Sequence, residues 1–463
     1  MLRSKAAPAI LKHSKSADLL RKSLLSHVWR VLSSKVLSRK HERLFDLLTL
    51  ISYNESMKEK DREIIRKLNI LQVHNFYQLR GGEDAVVEKE AGILRQQGHK
   101  VVPYYRYNKD INSLPFWKKV LLPFSSVFSC KTYREVRKMI REQKIDLVHV
   151  HNTLHLISPS VFWAAKKENI PVVMTVHNFR LCCPNGLFYR GKSACEECME
   201  KGLLCAVRHR CYRNSSLQTL IQVLNTWVHR KIHTYRNVDF ICFTEFQKQK
   251  ICSLLDVNEK HVWIKPNVCE NIELAYANQE NRILYAGRLS EEKGIGDLVR
   301  AYWQLVARMQ KTGQEIPKLV ICGEGPLSTA LQQYVRKHKL TTVIFTGQVS
   351  EKRVQEEIQK SGCVVLPSRC YEGMPMVLVK AYQMKRPVIV PDFGCFTSLV
   401  ENGVNGFRYQ PYDVQKLQEV LYDFLTQKEG MTCSFYTSDL MEDTECAKNY
   451  DRLMQIYFHA MEK

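Results

Sequence analysis

Ile283-Leu284-Tyr285-Ala286-Gly287-Arg288-Leu289-Ser290-Glu291-Glu292-Lys293-Gly294 is the stretch on which the reading of this chain turns. Its first four residues read as a buried strand, and the polar run behind them opens a helix-like pattern. Arg288 and Lys293, five residues apart, therefore stand at the carboxyl end of a sheet and can reach one anion. A guanidinium forks onto phosphate oxygens, whereas an ammonium acts as a point charge. Further along, Tyr371-Glu372-Gly373-Met374-Pro375 follows another apolar run. Pro375 suits the first helical position, which would leave the N–H groups of Gly373 and Met374 at the positive end of a helix. Taken singly, an Arg-x4-Lys is more often a solvated helix start, and a Glu before Gly a surface turn. In this order the two stretches look like a phosphate clamp.

Working outward, short β-branched runs alternate with helical patterns from Ile70 onward, the signature of parallel α/β units. Ile70 to His74, Lys100 to Tyr104, Asp146 to Val150 and Pro171 to Val176 read as strands. Glu83 to Gln97 and Tyr133 to Glu142 read as helices between them. A second series begins near Arg282 and continues through Leu319 to Cys322, Val343 to Thr346, Cys363 to Leu366 and Val388 to Val390. The expectation is α/β: two doubly wound Rossmann-like domains, with ligand residues beyond the carboxyl ends of their strands. The boundary falls between Pro266 and Gln279. After Cys446, the spacing of Tyr450, Leu453, Ile456 and Tyr457 predicts a last helix.

These residues resemble the retaining glycosyltransferases of family 4 (glycosyl transferases group 1). The resemblance runs from about residue 69 to the C-terminus. Besides the two opening stretches, Gly81-Gly82-Glu83, Thr175-Val176-His177-Asn178, Lys265-Pro266-Asn267 and Gly323-Glu324-Gly325-Pro326 carry it, in the family's order. It implies the GT-B fold, with two Rossmann-like domains facing a cleft. The expected organisation is a basic amphipathic extension over 1–67, an acceptor domain over 68–270 with a Cys-rich insertion at 182–211, a nucleotide-sugar donor domain over 271–445, and a helix over 446–463 returning to the first domain.

The resemblance also implies transfer of a sugar from a UDP- or GDP-sugar donor to a glycan or lipid-linked acceptor, as in polysaccharide biosynthesis. Negative charge grows on the departing nucleotide, so Arg288 and Lys293 are the expected stabilisers. With two cations present, no metal or other cofactor is expected for catalysis. Glu372 would hydrogen-bond the donor sugar, and His177 would reach it from the opposite domain. Gly81, Gly82, Glu83, Gly287, Gly323, Gly373, Met374 and Pro375 would line the donor site. Retention is expected by front-face attack, so no separate protein base is named. The pattern breaks at Lys380, where the family has a second carboxylate for the ribose: an ammonium donates to a hydroxyl but cannot accept from it. Lys385 and Ser398 depart from the family nearby. A relative that binds a sugar nucleotide or a partner without turnover is the alternative reading.

Sixty-nine Lys and Arg against 47 Asp and Glu leave a net charge of +22 in 463 residues, which favours an anionic partner. The chain contains no compact basic-aromatic module, so nucleic acid is not the expected one. It contains neither a charge-free apolar stretch of spanning length nor a compact secretory region, so a cytoplasmic protein is expected. Within 1–67, Leu25, Val28, Leu32 and Val36 recur at helical spacing beside Trp29. That is either a helix lying on the inner face of an anionic membrane, or an amphipathic helix or tail of the protein itself. Cys183, Cys195, Cys198 and Cys211 include a Cys-x2-Cys and could hold a structural zinc, with Cys182 or Cys205 as substitutes. Reduced thiols are the alternative.

Overall fold

The computed structural model describes residues 66–78, 81–253, 257–268, 280–427 and 446–462. The expected extension over 1–67 lies outside them but for its last two residues. Residues 67–463 make up one compact unit.

Among the described residues, the first half contributes strands β1 (Asn69–Phe76), β2 (Lys100–Tyr107), β3 (Leu147–Val150), β4 (Val172–Thr175), a small hairpin β5 (Tyr189–Arg190) and β6 (Ser193–Ala194), β7 (Val238–Cys242) and β8 (Val262–Ile264). All but the hairpin form one six-stranded sheet in the order β2-β1-β3-β4-β7-β8. Every pairing in it is parallel. The second half contributes β9 (Arg282–Ala286), β10 (Lys318–Cys322), β11 (Val343–Gly347), β12 (Cys363–Val365), β13 (Val388–Pro391) and β14 (Gly406–Tyr409). They form a second parallel sheet in the order β11-β10-β9-β12-β13-β14. A parallel sheet must be covered on both faces, and the central strands are accordingly apolar runs: Ile70, Leu71 and Val73 in β1 and Ile283 and Leu284 in β9 are fully buried.

The covering helices include α1 (Gly82–Gln96), α2 (Phe116–Val127), α3 (Cys130–Glu142), α4 (Ser160–Lys167), α5 (Ser216–Lys231) and α6 (Glu245–Cys252) in the first half. In the second half they are α7 (Ile295–Thr312), α8 (Ser328–Lys337), α9 (Glu351–Lys360), α10 (Met376–Gln383) and α11 (Val414–Leu425), followed by α12 (Cys446–Met461). Helix α12 packs on α1, β4 and β7. Tyr450 meets His99 Nε2 at 2.8 Å, Tyr457 meets His149 Nδ1 at 2.7 Å, and Asn449 Nδ2 donates to the Pro266 carbonyl at 2.8 Å.

Several elements were not named from the sequence patterns, β8 and β14 among them, and for two the reason is identifiable. Strand β7 carries the buried Asp239 inside an apolar run, and its carboxylate is met by His261 and His459, each at 3.2 Å, and by the Trp263 indole N–H at 3.3 Å. These partners come from distant segments. Helix α2 contains Pro123, ordinarily a breaker, and exposes much of its apolar side.

In each sheet the connection reverses direction at one point, between β1 and β3 and between β9 and β12. A crevice opens there beyond the strand ends. The two crevices face one another.

Candidate functional site

Loops after β9, β10 and β12 build the second-half wall. Gly294 sits at φ +68°, and a Cβ there would come within 1.8 Å of the Pro367 carbonyl oxygen. Gly323, at φ +132°, lies equally close to the Gly287 carbonyl, where a Cβ would approach to 2.0 Å. These contacts let the loops nest. Gly287 N–H donates to Cys322, Leu289 N–H to Glu324, and Gly323 N–H to Gly347. The loop after β12 is tied to the one after β9 by the Arg369 N–H donating to the Glu292 carbonyl at 2.8 Å, and by Arg369 Nε and Nη2 gripping Asp297 at 2.5 and 2.6 Å.

This framework brings the predicted residues to one cleft of about 1940 Å³ between the halves. Arg288, Lys293, Glu372 and His177 all line it, as do Gly81, Gly82, Glu83, Gly287, Gly323, Gly373, Met374 and Pro375. Arg288 is exposed on the wall, with no side-chain hydrogen bond to another described residue. Lys293 Nζ donates to Glu372 Oε1 at 2.6 Å, and Ser368 Oγ donates to the same oxygen at 2.7 Å. Loss of water would lower the Lys293 pKa, but Glu372 outweighs that and holds the ammonium above the ordinary lysine value. Glu372 is thereby held in place while a cation waits beside it.

Lys380 is placed elsewhere. It lies outside the cleft lining, buried on α10, and its Nζ meets Glu351 Oε1 of α9 at 2.5 Å. The helix start is also one residue later than the sequence suggests: Pro375 is the extended residue before α10. The orphan N–H groups at the positive end are therefore those of Met376 and Val377, not Gly373 and Met374, and both line the cleft. The loop holding Gly373 and Met374 spans the halves instead. Thr244 Oγ1 donates to the Gly373 carbonyl at 3.3 Å, and Asn267 Nδ2 donates to that of Met374 at 3.1 Å.

The first-half wall is built differently. Gly81 precedes α1, and its N–H donates to Asp84 at 3.0 Å, while Asp84 also meets His74 Nε2 at 2.9 Å. Glu83 Oε2 accepts from Tyr77 Oη at 2.9 Å and from Asn178 Nδ2 at 3.4 Å, whereas its other oxygen is buried without a hydrogen bond. Burial raises the Glu83 pKa against the pull of His74 and Tyr77. Arg180 lies over the Tyr77 ring, with its guanidinium carbon 5.8 Å from the ring centroid and a buried Nε that makes no hydrogen bond. Tyr77, Asn178 and Arg180 were not picked out from the sequence as site residues; only Asn178 had a cue, standing next to His177.

His177 ends a buried chain. Its Nε2 meets His151 Nδ1 at 3.0 Å, and His151 Nε2 lies 3.3 Å from Glu90, which also meets His149 at 2.9 Å and Lys265 at 3.5 Å. Burial first, and then His151, push the His177 pKa well below the ordinary histidine value, so the ring is neutral at neutral pH. Burial alone would raise Glu90, but His149, His151 and Lys265 hold its carboxyl well below the usual carboxylate range. Lys265 of the Lys-Pro-Asn motif thus serves a buried ion pair.

The four predicted zinc ligands are free thiols. Burial, with Cys183, Cys211 and Cys195 as its nearest thiol neighbours in effect, pushes the Cys198 pKa up to about 12. Cys211 rises to about 11 for the same reasons, with Cys183 and Cys195 contributing. Cys182 instead faces the Lys250 carbonyl at 3.7 Å. Among the described residues, the groups whose ligand atoms all lie within 4.8 Å of one another are Glu90–His149–His151 and Asp239–His261–His459; the cysteines are not among them.

The paired crevices define a two-domain α/β architecture, and the comparisons say which one. A model of glycosyl transferases group 1 matches residues 271–432, and one of glycosyltransferase family 4 matches residues 80–269, together about three quarters of the chain. The fold resembles the lipopolysaccharide outer core galactosyltransferase WaaB in its apo form, with a TM-score of 0.57 and 16% identity over 85% of this chain and 99% of that one. It also resembles Anabaena Alr3699/HepE in complex with UDP and glucose, with a TM-score of 0.56 and 15% identity over 84% and 98%. The fold is GT-B. The α-D-kanosaminyltransferase of Streptomyces kanamyceticus is 29% identical over 148 residues, 32% of this chain and 37% of that protein. The chain spans 26–49% of the length of this and the next two curated relatives it matches. It belongs to glycosyltransferase family 4, glycosyl transferases group 1.

Proposed function

We propose that this chain is a retaining glycosyltransferase that moves a hexose-type sugar from a nucleotide diphosphate donor to a glycan or lipid-linked acceptor, without a metal ion in catalysis. One observation carries the proposal: Arg288, Lys293, Glu372 and the first-turn N–H groups of α10 converge on one wall of the cleft between the two crevices. A departing nucleotide gains negative charge on its phosphate. Fixed cations and aligned N–H dipoles stabilise that charge without having to reorganise. Donor phosphate would draw Lys293 from Glu372 and free the carboxylate for the sugar hydroxyls. Neutral His177, held by His151, offers a hydrogen bond from the opposite wall. UDP is the first nucleotide to try, because the Anabaena neighbour is bound to it, with GDP second.

In this reading the protein works at the cytoplasmic face of a membrane, in polysaccharide assembly. No described helix is long and apolar enough to cross a membrane. A structural zinc on Cys183, Cys195, Cys198 and Cys211 belongs to the proposal as well, on the strength of the Cys-x2-Cys spacing; the sulfurs would have to draw together to hold it, since no three of them lie within 4.8 Å of one another, and zinc content of the C195S/C198S variant against the parent tests it.

The test of the transferase reading is a sugar-nucleotide panel followed by thermal shift, then donor turnover. Stabilisation by one donor, with turnover lost in Arg288→Ala and Glu372→Ala, is the expected result. Stabilisation by no sugar nucleotide, or turnover unchanged in both variants, would sink it.

A further inference from the structure

Large apolar side chains are exposed very unevenly. Among the described residues, the second half shows only Trp303, Ile344 and Tyr412, at 40–42%. Helix α2 alone exposes Phe116 (82%), Trp117 (59%), Val120, Leu121 and Phe124 (74%), and α5 adds Leu217 (69%), Leu224 and Trp227 (51%). The two helices are packed together: Asn225 Nδ2 donates to the Ser126 carbonyl at 2.7 Å, and His229 Nε2 meets that of Val127 at 2.8 Å. The apolar side chains therefore gather on one packed pair of helices, and clustered exposed apolar surface of this kind marks an interaction site.

The charge around the patch selects its occupant. Residues 111–134 and 201–238, which contain both helices, hold four and seven Lys or Arg respectively and not one Asp or Glu. Lys118, Lys231 and Arg236 are exposed, as are Lys119 and Arg213, which also line the cleft. A second copy would set like charge against like. The chain's own first forty residues are equally mismatched, with ten Lys or Arg and a single Asp. Tryptophan, phenylalanine and leucine ringed by lysine and arginine match instead the boundary between acyl chains and anionic headgroups.

We propose that the α2–α5 face seats the protein on an anionic lipid bilayer. The opposite sides of the same helices line the cleft, through Lys119, Leu122 and Ser126 of α2 and Gln218 and Gln222 of α5. The cleft mouth then opens at the lipid surface, where an amphiphilic acceptor enters without leaving the membrane. This last step rests on the transferase reading; the docking itself does not.

The experiment is flotation of the full-length protein with vesicles of phosphatidylcholine, with and without phosphatidylglycerol, at low and high salt. Binding to the anionic vesicles that weakens with salt is expected. Phe116→Ser/Trp117→Ser/Phe124→Ser should weaken it about tenfold or more, since each side chain loses most of its membrane-buried apolar area. Lys118→Gln/Lys231→Gln should weaken it about fivefold per charge. All five side chains are exposed, so the melting temperature and the sugar-nucleotide shift should stay as in the parent, which separates failure of docking from failure of the transferase reading. The proposal is overturned if the triple variant floats like the parent, if the parent ignores both vesicles, or if sedimentation velocity shows the triple variant losing a dimer while vesicle binding persists.

Discussion

The two halves share one architecture, yet they build their cleft walls in opposite ways. The second half exposes its charge: Arg288 is open to solvent, Lys293 leans on Glu372, and glycines bring three loops into contact. The first half buries its charge: His74 with Asp84, Glu90 with His149, His151 and Lys265, and Glu83 with Tyr77 and Asn178. Arg288, exposed and without a side-chain hydrogen bond to another described residue, is free to meet an incoming anion. The buried groups around Glu83 and His177 are already paired with one another, so that part of the wall sets shape, and the first half's exposed charge in the cleft comes from Lys119, Arg210 and Arg213, which line it.

That contrast breaks first at Glu90. Glu90→Ala should destabilise the fold by about 3–5 kcal/mol, because Lys265 is left as an uncompensated buried charge; urea denaturation of the variant is the measurement, and a loss near zero would mean the network is not ionic. On the other wall, Arg288→Ala should leave stability unchanged while slowing donor turnover about 100- to 1,000-fold. A variant that loses stability instead would erase the distinction between the walls.

Acid sharpens the same point. Burial lowers the pKa of His151 to about 3 and that of His155 to about 4, against 6.5 for the unfolded chain. Below that unfolded value the denatured state takes up protons that the folded state refuses, so stability present above roughly pH 6.5 drains away as pH falls toward 4, by about 1.4 kcal/mol per pH unit for each ring. The depressed Glu90 acts in the same direction at still lower pH. Equilibrium unfolding across this range should show the slope, and His151→Gln should flatten it. The smallest effect is expected at Lys380. Its partner Glu351 is half exposed, so Lys380→Met, which keeps the buried stem and removes only the ion pair, should cost no more than about 1 kcal/mol and leave the donor-induced thermal shift in place. A lost shift would return Lys380 to the donor site.

The second-half wall was legible because its parts are local. A strand, a turn and a helix start within a dozen residues present Arg288 and Lys293, and another such unit presents Glu372, so spacing alone locates them at strand ends. Even there, spacing misjudged the helix start by one residue, because a proline fits before the first turn as well as in it. Tyr77, Asn178 and Arg180 were missed because a lone Tyr, Asn or Arg carries no pattern until folding gathers them around Glu83. The α2–α5 face was passed over because Pro123 interrupts the helical signal and the apolar positions do not point to a core.

Periodicity and turn chemistry in the chain were enough to establish two parallel α/β units and the cations at their strand ends, since both follow from interactions between near neighbours. The pairing of Lys380 with Glu351, the burial of Lys265 against Glu90 and the meeting of both crevices in one cleft depend on residues far apart in sequence. Their desolvation, and hence their charge and availability, exists only once the tertiary contacts have removed the water.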